Sequence, residues 1–285
     1  TLLISVHVLA VAGLVYLFSA FNMHTALLAI ILFFLCHLAI RVGAHSLYTH
    51  RAYEASIVWH AAMILLFSAT IQGPLKVWTA LHVRHHQFTD GLKDPYSPAH
   101  GWLWAHMLWG CFNLPQISVR DAMWMFRGKT PAEQRIVKLV TLQSEWPLLG
   151  GLLTGILVPG IIASLWGDFW GGIFVAGFLR LALQYHCTWQ INSISHVLGG
   201  QPYGDKNSSR NSPWWLFGIL SLLSVGEASG HNRHHKYAND FRIGVGYLKV
   251  DPGKWLLYSA RGFSRLLRSV GLPPLVWNLR RFDEN

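Results

Sequence analysis

The chain has 285 residues, of which 52% are apolar and only 13% charged, about half the charged share of an ordinary soluble domain. A mostly wetted surface is excluded by that balance, and the 14 tryptophans suit aromatic belts at two membrane–water interfaces. The formal charge of +10 does not point to nucleic acid, because the basic residues flank apolar runs: the first 40 residues carry no Lys or Arg, whereas the segments from Arg120 to Lys138 and after Lys206 are rich in both.

From Leu2 to Phe21 the sequence is almost uninterruptedly apolar, and after the short turn Asn22 to Thr25 a second run continues from Ala26 to about Ile40. A second pair runs from Pro147 to Trp166 and from Trp170 to about Leu183, joined by Gly167, Asp168 and Phe169. About 20 residues of helix cross about 30 Å of hydrocarbon, so the sequence predicts four transmembrane helices in two hairpins, over roughly 2–21, 26–44, 147–166 and 170–191. The opening run lacks a basic leader and a small-residue cleavage site, and reads as a span rather than a signal peptide. Neither hairpin turn carries Lys or Arg, whereas the long connections and the tail do, which sets both termini and the long segments in the cytosol. The run Ile57 to Ile71 is short for a span and ends at Gly73 and Pro74, as expected of a re-entrant or interfacial helix. Trp214 to Val225 predicts a second interfacial helix, and Asp251 to Asn285, where arginines alternate with Trp255 and several leucines, a cap resting on anionic headgroups. Cys36, Cys111 and Cys187 have no metal-binding or disulfide spacing and read as packing residues. The expected fold is a single all-α integral-membrane domain over residues 1–285, with a cytosolic helical cap.

Nine of the 16 histidines fall into four patterned groups. HSLYTH holds His45 and His50; HVRHH holds His82, His85 and His86; NSISH holds Asn192 and His196; HNRHH holds His231, His234 and His235. Residues at i, i+3 and i+4 share a helix face, so each HxxHH converges its imidazoles on one place. His45 and His50 lie about 140° apart on a regular α-helix and cooperate only if the helix ends or bends between them. Imidazole suits iron, copper, nickel and zinc. One zinc takes three or four ligands, while two six-coordinate irons with positions open to dioxygen can use nine histidines and a water held by Asn192. The predicted topology puts all nine on the cytosolic side. A membrane metal transporter or sensor, the remote alternative, would place its polar residues near the midplane instead. Among the other histidines, His7 and His24 read as structural, His37 and His60 lack any pattern, and His100, His106 and His186 are candidates for supporting the ligands.

These groups make the chain resemble the membrane fatty acyl desaturases, the family of stearoyl-CoA desaturase and its bacterial relatives. The resemblance is carried by GAHSLYTHRAY at Gly43 to Tyr53, QGPLKVWTALHVRHHQFTD at Gln72 to Asp90, Asp94 and Pro95, NSISHVLGGQPY at Asn192 to Tyr203, and GEASGHNRHHKY at Gly226 to Tyr237. It implies four transmembrane helices under a cytosolic cap, a nine-histidine di-iron centre, and an acyl chain in a buried tunnel with Gln72 and Trp78 among the substrate-binding residues. It also implies dioxygen as co-substrate and two electrons from a b-type cytochrome or a ferredoxin, spent on removing two hydrogens from adjacent methylenes. A hydroxylase or an acetylenase of the same histidine-box superfamily is the alternative outcome. Where acyl-CoA members carry a basic and an acidic residue before the second box, this chain has Ala80 and Leu81, so CoA, acyl carrier protein and intact lipid all stay open as acyl carriers. Ser46 after the first histidine, Tyr96 and Ser97 after Asp94 and Pro95, and the extra residue in GEASGH are further departures. Phe33 and Phe34 stand three turns before His45, about 18 Å along the axis, where large rings would close the floor of the tunnel.

Overall fold

A computed structural model of the chain describes residues 2–111, 128, 130–212, 219, 221–245 and 250–282. Apart from one two-residue strand pair, the regular structure among the described residues is helical. Helix α1 (Leu2–Ser19) turns into α2 (Met23–Thr49) through Asn22, whose side-chain oxygen accepts from the backbone N–H groups of His24 and Thr25. These are followed by α3 (Ile57–Ser68), α4 (Leu75–Phe88), α5 (Trp102–His106), α6 (Pro131–Glu145) and α7 (Pro147–Ser164). Then come α8 (169–197), α9 (His231–Lys236) and α10 (Pro252–Ser269). The strands β1 (Glu54–Ala55) and β2 (Val276–Trp277) pair antiparallel and tie the C-terminal segment to the chain that leaves α2.

Among the described residues, three helices, α1, α2 and α7, are long and apolar enough to cross a membrane. The fourth span expected from the sequence lies within α8, which is long enough but carries Arg180, Gln184 and Gln190, all buried. Arg180 donates to the carbonyls of Ala176 (3.1 Å), Ala69 (3.1 Å) and Gly155 (2.8 Å) and to the side chain of Gln184 (2.8 Å). Gly155 and Ala176 sit in π-helical turns, Leu153–Leu157 and Gly172–Leu179. Such turns disturb the regular backbone ladder, and the guanidinium satisfies carbonyls that an apolar layer could not. Helix α1 packs directly on the second of these turns at Gly13, where an added Cβ would lie 2.3 Å from the Phe174 carbonyl oxygen. Small residues at helix crossings allow this close approach.

At the turn end, Asp168 joins the two helix pairs. Its carboxylate accepts from the Tyr16 hydroxyl (2.7 Å), from the Thr25 hydroxyl and from the Gly171 N–H (3.1 Å), and Trp166 Nε1 donates to Thr25 Oγ1 (2.9 Å). Helix α3 has 12 residues, about 18 Å, which is too short to cross. Half of the interfacial helix expected over Trp214–Val225 lies outside the described residues, as does much of the basic stretch beginning at Arg120. Cys36 is buried and Cys187 half-buried, but Cys111 is exposed, so packing accounts for only the first two cysteines.

Candidate metal centre

The end of α2 decides how the first histidine pair works. From Ala39 to Thr49 the helix is π-helical, and the His50 N–H donates to the His45 carbonyl at 3.0 Å. An i to i+5 bond stacks residues five apart on one face, so His45 and His50, which a regular α-helix would turn away from each other, lie with ring centroids 4.7 Å apart. His50 then ends the helix. Thr49 Oγ1 donates to the Ala44 carbonyl (2.9 Å), and Arg41 bonds the Ser46 hydroxyl. Ser46, the residue after the first histidine, is thereby tied into this same turn.

All nine patterned histidines converge in two adjoining groups. His45, His50, His82, His86 and His234 form one, and His85, His196, His231 and His235 the other, with the ligand atoms of each group within 4.8 Å of one another. The Nε2 atoms face inwards: His45 to His234 2.9 Å, His234 to His86 2.9 Å, His231 to His196 2.9 Å and His235 to His231 3.2 Å. His50 Nε2 is buried with no hydrogen-bond partner among the described residues. Inward nitrogens in two sets of five and four fit two metal ions better than a hydrogen-bonded core, because neighbouring imidazole acceptors satisfy one another poorly. Burial, reinforced by neighbouring imidazoles, pushes His82, His86, His234 and His235 well below the usual histidine range. Burial and the adjacent His85 take His231 to about 3. The rings are therefore neutral at pH 7, the state in which imidazole binds metal.

Several Nδ1 atoms are held from behind, which fixes ring orientation. His85 Nδ1 lies 3.0 Å from both carboxylate oxygens of Asp94, His82 Nδ1 3.1 Å from the Tyr96 hydroxyl and His196 Nδ1 2.8 Å from Ser208 Oγ. Ser208 is in turn bonded to Asp90, through its hydroxyl and through its N–H at 2.6 Å. His45 Nδ1 lies 3.2 Å from Glu227 Oε1, and Arg41 pairs with Glu227 (3.3 Å) and Asp251 (3.7 Å). Burial raises the Glu227 carboxyl to about 7 against the opposing pull of Arg41. Asp94 and Glu227 stand beside or within the histidine motifs, but no sequence spacing announces Ser208 or Asp90 as partners of His196.

A cavity of about 400 Å³ opens beside the first group, with His45 and His82 in its wall. Gln72 and Trp78 line it, linked by Trp78 Nε1 to Gln72 Oε1 at 3.0 Å, and Gln72 also donates to Thr188 (3.1 Å). Asn192 lines it too, one turn before His196. Phe33 and Phe34 are not in the wall. The α2 residues that reach it are His37, Ile40, Arg41 and His45, and Phe33 packs behind His37 with centroids 4.9 Å apart. Of the unpatterned histidines, His7, His186 and His106 form a hydrogen-bonded file at 3.2 and 3.0 Å that ends on Ser193 at 2.9 Å, and His60 pairs with the Tyr48 hydroxyl at 2.7 Å.

No family model matches the chain. It is 31% identical over 262 residues to a probable acyl-CoA desaturase of Schizosaccharomyces pombe, covering 92% of this chain and 50% of that protein; the chain thus spans about half the length of that relative. It is 31% identical over 245 residues to a Delta(9)-fatty-acid desaturase of Caenorhabditis elegans, covering 85% of this chain and 70% of that protein. It is 30% identical over 251 residues to a hex-5-enoyl-[acyl-carrier protein] acetylenase of Moorena producens, covering 84% and 71%. With histidine groups, cavity and sequence in agreement, the chain belongs to the acyl-CoA/stearoyl-CoA desaturase family.

Proposed function

We propose that this protein is an O2-dependent acyl desaturase that removes two hydrogens from adjacent methylenes of an acyl chain. The observation that carries the reading is the meeting of two adjoining imidazole groups with a cavity whose wall includes two of the imidazoles. His45, His50, His82, His86 and His234 would hold one iron, and His85, His196, His231 and His235 the other, with Asn192 placing a water near the second. Two irons bound there supply the activation of dioxygen that an unactivated methylene requires. The chain's own residues do the rest: the cavity wall excludes water and fixes which carbons reach the centre, and Gln72 and Trp78 shape the acyl path. The reading includes a single domain of four spans in two hairpins, α8 supplying the fourth, with the histidine centre on the cytosolic side. It also includes an external one-electron donor, a b-type cytochrome or a ferredoxin.

CoA, acyl carrier protein and lipid are all carriers compatible with Ala80 and Leu81, and the likeness to an acetylenase supports a further oxidation to a triple bond as the second reading. Product analysis by mass spectrometry in a host supplied with acyl chains of different lengths and a reductant decides between them. Loss of two mass units supports desaturation, loss of four acetylenase action, and a gain of sixteen hydroxylation. Metal analysis after dialysis should find two irons per chain, and His85→Ala, His196→Ala or His234→Ala should abolish turnover while leaving membrane insertion intact.

A further inference from the structure

Seven of the nine inward-facing histidines are buried. The two that are only partly so are His86 and His235, one from each group, and their rings stack on each other with centroids 4.4 Å apart and planes 23° from parallel. Among the described residues, the centre therefore reaches the surface through one imidazole of each metal group.

A surface cleft leads to that place. It is lined by His86, Phe88, Leu92, Lys93, Lys206 and Asn207 together with Gln87, Thr89 and Gly91, and shares no residue with the cavity that holds His45 and His82. The lining carries two lysines and no carboxylate. Asp90, beside it, is engaged by Ser208, and Asp205 stands next to Lys206 outside the lining. Lys236, adjacent to His235, is exposed. Leu92 stands 93% exposed at the rim, an apolar knob beside the positive charge of Lys93.

We infer that this cleft is the docking face for an acidic one-electron carrier protein, and that electrons enter through the stacked His86–His235 pair. The inference rests on the desaturase reading and locates its electron donor. The cavity has His45 and His82 in its wall, whereas the cleft reaches His86 and shares no lining residue with the cavity, so a chain held in the cavity leaves the cleft open. Each docking event oxidises the carrier by one electron. Two deliveries, with two protons, balance the removal of two hydrogens from the acyl chain and the reduction of O2 to two waters. Lys93 and Lys206 steer the carrier, and Leu92 supplies the apolar contact that holds it once docked.

Direct binding of an oxidised plant-type ferredoxin and of a soluble b-type cytochrome domain to the detergent-solubilised full chain tests this without turnover. At low ionic strength one carrier should bind and weaken as salt rises. Lys93→Glu with Lys206→Glu should raise its Kd about tenfold or more, Leu92→Ser should raise it with the salt dependence unchanged, and the control pair Arg265→Glu with Arg268→Glu on α10 should shift it less than twofold. Iron content should be equal in all variants. An unchanged Kd in the lysine pair, an equal loss in the control pair, or failure of both carriers to bind the wild type would overturn the assignment. Because binding needs no chemistry, a protein that docks the carrier but desaturates nothing would count against the functional reading and not against this face.

Discussion

Asp94→Asn offers a way to separate the two metal groups. Asp94 is buried, and its carboxylate meets His85 Nδ1 through both oxygens at 3.0 Å while also accepting the N–H groups of Asp90 (3.1 Å) and Tyr96 (3.2 Å). The amide keeps the shape but presents an NH2 where His85 needs an acceptor, so the ring loses the charge that orients it and makes it basic. Loss of such an outer partner costs about 10- to 100-fold in metal affinity, or about 1.4 to 2.8 kcal/mol. His85 belongs to the group of four, so the loss should fall on that ion alone. Against a graded chelator challenge, iron in Asp94→Asn should drop from two to one per chain at a chelator concentration the wild type withstands. Ser208→Ala, which unties His196 of the same group, should behave alike, and Tyr96→Phe, which unties His82 of the other, should weaken the opposite ion. Parallel loss of both irons in Asp94→Asn, with the thermal unfolding curve unchanged, would refute the division of the nine histidines into independent sites.

Asp168→Ala removes the acceptor of the Tyr16 and Thr25 hydroxyls and the Gly171 N–H, and at about 1 to 3 kcal/mol per stranded buried donor it should lower the unfolding temperature in detergent markedly; an unchanged melt would show that the turns hold without it. The depressed pKa values of His82, His86, His234 and His235 mean that the folded state binds protons less tightly than the unfolded chain, so the neutral ligand set is fully present above pH 6.5 and is lost only as pH falls well below it. Iron retention scanned from pH 7.5 downwards should stay flat through 6.5, and release centred at 6.5 would contradict the burial argument. His37→Ala should shift the substrate profile toward longer acyl chains more than Phe33→Ala or Phe34→Ala, with the new double bond fixed relative to the carboxyl end, because His37 lines the cavity and Phe33 stands behind it. A larger shift in either phenylalanine variant would return the tunnel floor to the sequence-based position.

What the residues determined by themselves is what depends on spacing and composition. Two HxxHH helices carry their imidazoles on one face whatever surrounds them, and long apolar runs must leave water, so the histidine groups, the apolar helices and the family were legible without coordinates. Tertiary structure decided what depends on contacts distant in sequence. His45 and His50 come together only because α2 ends in a π-helical stretch, and no local propensity separates that from an α-helix. Arg180 interrupts an apolar segment and weakens α8 as a span on composition, yet in the fold it satisfies carbonyls from α7 and from the segment after α3. The partner of His196 is Ser208, held by an aspartate 118 residues away in the chain, and which α2 residues reach the cavity wall, His37 among them, depends on how α2 is turned against its neighbours. Hydrophobic period and metal-ligand spacing are local and survive in one dimension; hydrogen-bond partners and cavity walls exist only once the helices have packed.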